Sequence, residues 1–276
     1  MLKQLLKYEF KATKGLYGAL YLALIVLSVA LGVSSRSELF VPNEGVQKLL
    51  VALVIIYGAT ILAIAVLCFV NTVQRFYQNL LGREGYLMHT LPVTESQLIL
   101  SKLITSMVWV LCSFLVGIVS VTVMVGIGAF DSETFGAIDW DGLRWLWNTL
   151  SQQMNARFWF SLVWTLLTNL VQLAGIILCI YAACMIAHQF KRCVMVAGII
   201  AFIGLNMVEN WVDHLLGLDS VVTVASAQSA GSSIGTWLAQ VNVDLHSLLS
   251  FLVTAAFAAA WFFLTRWLMK NKLNLE

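Results

Sequence analysis

The sequence predicts an all-α integral membrane protein with six transmembrane helices, and three observations lead there. Of the 276 residues, 60% are hydrophobic and only 11% are charged, against about 25% charged in an average soluble domain. The mean hydropathy is +0.87. Thirty Lys, Arg, Asp and Glu side chains cannot cover a water-soluble surface for a chain of this length, and so much apolar surface excludes disorder. Six apolar runs are also long enough to cross a hydrocarbon core, which takes about 20 residues as a helix. Finally, the charges between those runs sort by side.

Taken in order, the elements are as follows. Residues 1–15 read as an interfacial amphipathic helix: Leu2, Leu5, Leu6 and Phe10 recur at helical spacing, while Lys3, Lys7, Lys11 and Lys14 occupy another arc with snorkelling reach. Glu9 interrupts the apolar arc. It is either a partner for a nearby cation or a side chain tilted into headgroups, and the second is the favoured expectation. Residues 16–276 then form one six-helix transmembrane domain. Its spans run near Leu16–Ser34, Leu49–Val73, Leu103–Gly128, Phe158–Ala187, Val194–Val212 and His246–Met269. Pro42 and Pro92 both lie between spans, so neither kinks one.

The first run competes with a cleaved signal peptide, but its apolar stretch exceeds the usual 7 to about 15 residues of such a segment. Twelve of the sixteen Lys and Arg residues fall at the N-terminus, the loop after the second span, the loop after the fourth, and the C-terminus. Ten of the fourteen acidic residues lie on the opposite side. Cytoplasmic loops hold the basic excess, so both termini are expected to be cytoplasmic. The five cysteines all fall within or beside apolar runs, which suggests small buried hydrophobes and no disulfide or metal framework.

Two outer loops are expected, 129–157 and 213–245. The first contains Leu143, Leu146, Trp147 and Leu150 at helical spacing, the pattern of a membrane-hugging amphipathic helix. The second is rich in Ser, Ala, Gly and Val, and the sequence leaves open whether it re-enters the membrane.

The inner loop 74–102 carries the most information. Gly82 and Gly85 bracket Arg83 and Glu84, marking a break after the second span has continued past the membrane. Tyr86, Leu87, Met88, His89, Thr90 and Leu91 then place apolar side chains where water is expected. Pro92 ends the segment, and Thr94 with Gln97 forms a capping-box pattern that opens the next helix. Exposed apolar residues on a compact loop suggest a docking knob for a soluble protein; the alternative is a segment resting on the lipid surface.

No enzyme is expected. The histidines His89, His188, His214 and His246 are scattered, without metal-ligand spacing. The span interiors are nearly free of charge, which leaves little for an ion-coupled carrier to use. Asn169 and Gln172, three residues apart in the fourth span, form the clearest buried polar pair; they read as helix-to-helix glue or as candidates for lining a translocation path. No Lys is followed by Ser or Thr, so a phosphate-binding Gly-x-x-x-x-Gly-Lys-[Ser/Thr] loop cannot be present. Any ATP-driven work must be energised by another chain. A net charge of +2 gives no reason to expect nucleic-acid binding.

Leu5–Thr13 (Leu-Leu-Lys-Tyr-Glu-Phe-Lys-Ala-Thr) and Asn79–Thr94, followed by Leu98–Lys102, resemble permease subunits of ABC-2 type ABC transporters, particularly those of Gram-positive bacteria. The resemblance implies an N-terminal elbow helix and a cytoplasmic coupling helix in the loop between spans two and three. It makes Arg83, Glu84, Gly85, Tyr86, Leu87, Met88, His89, Thr90, Leu91 and Pro92 the segment that docks on a separate ABC ATPase, which binds ATP and Mg. It further implies a second permease subunit, in a homodimer or heterodimer, around an export path for an amphipathic substrate; this chain itself binds no cofactor. A membrane scaffold or sensor that docks a cytoplasmic partner without transport is the rival reading.

Overall fold

A computed structural model of the protein describes residues 2–34, 44–81, 94–129, 144, 148, 156–190, 193–218 and 245–271. The described residues are all-helical in architecture, with six long helices: α1 (Leu2–Ser34), α2 (Glu44–Phe76), α3 (Glu95–Ala129), α4 (Ala156–His188), α5 (Val194–Leu215) and α6 (Leu245–Asn271). Each is long and apolar enough to cross a membrane. Apolar side chains cover their outer faces, among them Leu22, Ile55, Leu62, Phe114, Val163, Ile200 and Phe263. A soluble protein does not expose that much contiguous apolar surface, whereas lipid solvates it. The chain is a multi-pass membrane protein.

Most of the helices outrun the spans read from the sequence, because a search for charge-free runs stops at the first ionisable residue and a helix does not. α1 starts at Leu2 and continues unbroken through Leu16. The amphipathic N-terminal segment is therefore the first four turns of the same helix that carries the first span, with no break between them. A helix of 33 residues is about 50 Å long, well beyond a hydrocarbon core of about 30 Å. The surplus of α1 and α3 lies mainly at the end where Glu9 and Lys102 sit.

The chain divides into two compact units, Met1–Ile138 and Asp139–Glu276. In the first, α1 packs along α3, and α2 touches both. The α1–α3 contact extends from Glu9 beside Lys102 to Gly32 beside Ile127, so the two helices run parallel, and α2 runs antiparallel alongside both. At Gly32 an added Cβ would fall 2.8 Å from the Ile127 Cβ and 2.9 Å from the Met124 carbonyl oxygen; only glycine allows so close a backbone approach there. Between these ends lie Leu24, Leu31, Tyr57 and Ile64, the apolar heart of the unit.

Polar side chains join the same three helices. The Tyr17 ring stacks on Trp109 at 4.2 Å between centroids. The Tyr21 and Ser113 hydroxyls share a hydrogen bond of 2.7 Å, as do those of Tyr57 and Ser120 at 2.8 Å. Small hydroxyls bonding across helices are a common adhesive where lipid removes the hydrophobic drive for association.

In the second unit α4 packs against both α5 and α6. Its stretch from Ile177 to Ala183 is buried on every side. Trp164 meets Phe251 of α6 at 5.0 Å, and Gly198 of α5 lies against Ala187. α5 has no buried residue of its own. It stops at Leu215 through a Schellman closure: the Leu218 N–H donates to the Asp213 carbonyl at 2.8 Å and the Gly217 N–H to that of His214 at 3.1 Å. Gly217 supplies the left-handed φ of 61° that this closure requires.

Candidate functional site

Among the described residues of the first unit, a charged cluster joins one residue from each of its helices. Glu9 lies on the second turn of α1, Arg75 in the last turn of α2, and Lys102 two turns into α3. Arg75 Nη1 donates to Glu9 Oε2 at 3.1 Å, and Lys102 Nζ donates to Glu9 Oε1. The carboxylate thus accepts from two cations on two other helices. Lys102 and Glu9 are almost wholly buried, and the Arg75 side chain is 24% exposed. This corrects the sequence expectation for Glu9: its side chain points into the bundle and not into headgroups. A buried carboxylate without partners is expensive, and two cations at its two oxygens offset part of that cost.

Local sequence explains the placement. Glu9 shares a face with Thr13 and Tyr17, both buried, and the Thr13 hydroxyl bonds back to the Glu9 carbonyl at 3.0 Å. Phe10, beside it, meets Trp109 of α3 at 6.0 Å. On α3, Leu98, Ile99, Ser101, Lys102 and Thr105 are buried together, so Lys102 is delivered to Glu9 by the face that packs on α1. The four lysines of the N-terminal segment, Lys3, Lys7, Lys11 and Lys14, are exposed, as the amphipathic pattern requires.

The cluster flanks the connection between α2 and α3 on both legs. Past Arg75 the helix continues to Phe76 and then widens into a π-helical turn over Tyr77–Leu81, a feature found often at functional positions. On the other leg, the Thr94 carbonyl accepts from the N–H groups of Gln97 and Leu98 at 2.9 and 3.2 Å. α3 therefore opens where the capping pattern predicts. Arg83 to Pro92, the segment expected from the sequence to dock a partner, lie outside the described residues. So do most of the outer loop 129–157 and residues 219–244 of the other.

Asn169 and Gln172 are not buried: both are exposed on α4, and Asn169 Nδ2 donates to the Thr165 carbonyl of its own helix at 2.8 Å. Neither is recorded bonding to another helix among the described residues. Among the described residues, interhelical polar contacts are made, besides the Glu9 cluster, by Tyr21 and Cys68 with Ser113, by Tyr57 with Ser120, and by Asn206, whose amide reaches the Cys179 sulfur at 3.6 Å. Two signals in the sequence pointed to the ion cluster: an acid inside an apolar helical arc, and a lysine directly before an apolar run.

All five cysteines are free thiols. Among the described residues no group of three His, Cys, Asp or Glu side chains is arranged to hold a metal. Compared with protein-family models, curated proteins and solved structures, the chain matches none.

Proposed function

We propose that the chain is the permease subunit of an ATP-driven exporter of the ABC-2 type. A separate ABC ATPase, carrying ATP and Mg, docks on Arg83–Pro92, and the subunit moves an amphipathic substrate outward together with a second permease subunit. Both termini then face the cytoplasm of a bacterial cell, and the first turns of α1 take the part of the elbow. The observation that supports this reading best is the ion cluster. Glu9 ties both legs of the α2–α3 connection to α1, so a push on that loop is delivered to three spans together instead of being absorbed by one hinge. A docking loop needs such a brace, and a loop resting on lipid does not. The sequence adds that no phosphate-binding loop is present in this chain.

The test is co-purification of a nucleotide-hydrolysing subunit with tagged full-length protein. Tyr86→Asp with Leu87→Asp is expected to abolish it while leaving the protein folded in the membrane. Retention of a bound, stimulated ATPase by that double variant removes the docking assignment.

A further inference from the structure

The exposed surface of α4 carries a polar stripe. Leu162, Thr165, Asn169, Gln172 and Ile176 are all exposed, and their spacing alternates between three and four residues, the repeat of a seam that faces another helix. Around them the exposed side chains Val163, Leu166, Leu167 and Leu170 are aliphatic. Contacts within the unit are made elsewhere on α4, where Trp164 meets Phe251 at 5.0 Å and Gly175 lies against Ala258.

Depth follows from charge and not from where the helix ends. Residues 158–187 contain no Asp, Glu, Lys or Arg; wherever about 20 of them are placed in a hydrocarbon core, 168–177 are inside it. Asn169 and Gln172 are therefore at hydrocarbon depth. Each amide offers two N–H donors and a carbonyl acceptor. Asn169 spends one N–H on the Thr165 carbonyl of its own helix at 2.8 Å, which leaves its oxygen and second N–H to be satisfied, and lipid tails offer no partner.

Whatever covers the stripe must bring donors and acceptors to the same depth. Among the described residues, no exposed side chain within the spans 16–34, 49–73 and 103–128 of α1, α2 and α3 is Asn, Gln or charged. A second copy of this chain brings both. Two copies inserted the same way up run their α4 helices in one direction about a two-fold axis along the membrane normal, so each residue of the seam faces its own image. An amide complements its own image because it donates and accepts, and a single Asn within such a seam also fixes its register.

We infer that the chain forms a homodimer through α4, with Asn169 and Gln172 hydrogen-bonded to the same residues of the second copy. This deepens the permease reading by making the second subunit an identical chain; the pairing itself does not rest on that reading.

The test is disulfide crosslinking of the full-length protein in its membrane by copper phenanthroline, with the unaltered protein and its five free cysteines as background. Leu162→Cys and Ile176→Cys keep both amides and are expected to give a covalent dimer of this chain above background, whereas Val163→Cys and Leu167→Cys, off the stripe, are not. Asn169→Leu with Gln172→Leu is expected to weaken dimerisation in detergent by roughly tenfold, read by energy transfer between labelled copies. The crosslinks stand even if that double variant misfolds. Absence of a dimer, equal yields at the four cysteine positions, adducts only with another polypeptide, or unchanged affinity of a folded double variant overturns the inference. Neither measurement involves an ATPase, so failure here leaves the docking assignment intact, and loss of docking leaves the pairing intact.

Discussion

Glu9 and Arg75 are 66 positions apart in sequence and meet at 3.1 Å between Oε2 and Nη1, at the end of the bundle from which the α2–α3 connection departs. Lys102 completes the cluster from the other leg of that connection. Buried ion pairs add little net stability over an apolar replacement, but removing one partner strands the other. The cluster therefore specifies how three helices align more than it strengthens their packing.

Glu9→Ala leaves Lys102 buried without its carboxylate and is expected to cost about 3–5 kcal/mol. Adding Lys102→Met removes the stranded charge and should return much of that loss. Thermal unfolding of the purified single and double variants measures it; additive losses would mean that the two side chains do not interact.

Gly32→Val forces a side chain into the Ile127 and Met124 contact and is expected to cost about 1–3 kcal/mol through overpacking. Gly117→Ala, where nothing lies within 4 Å of the added Cβ, should be neutral or stabilise by about 0.5–1 kcal/mol through helix propensity. Comparing the two melting shifts checks the parallel α1–α3 approach, and a Gly32→Val shift no larger than that of Gly117→Ala would count against it.

Tyr57→Phe removes the 2.8 Å contact with Ser120 but leaves Ser120 bonded to the Gly117 carbonyl. The expected loss is small, about 0.6 kcal/mol, the typical value for interhelical hydrogen bonds in a membrane. A loss of several kcal/mol on unfolding from detergent would show that this hydroxyl does more than join helices.

Cys193 is exposed in the short connection between α4 and α5, an even number of spans from the N-terminus. With cytoplasmic termini, a membrane-impermeant maleimide should label it in inside-out vesicles and not in intact cells. Labelling in intact cells would invert the topology.

The six helices were legible because apolar length is a direct physical requirement of the bilayer. Their extents were less so: the start of α3 at Glu95 was marked by the Thr94 and Gln97 capping pattern, but the unbroken continuation of α1 from Leu2 into the first span was not. The role of Glu9 was half legible, since its clash with the apolar arc was visible, but whether the arc faced lipid or protein depended on partners 66 and 93 positions away. Asn169 misled for the same reason. Its polarity was plain, yet its exposed placement is set by which face of α4 meets α5 and α6, and single-helix periodicity does not carry that information.

The most direct test of the account is a photocrosslinker, p-benzoylphenylalanine, placed at Leu87 of the full-length protein in its own membrane. The account predicts an ultraviolet-dependent adduct containing an ABC ATPase, identified by mass spectrometry and lost when Tyr86→Asp is added. Adducts formed only with lipid or with a second copy of this chain would contradict it.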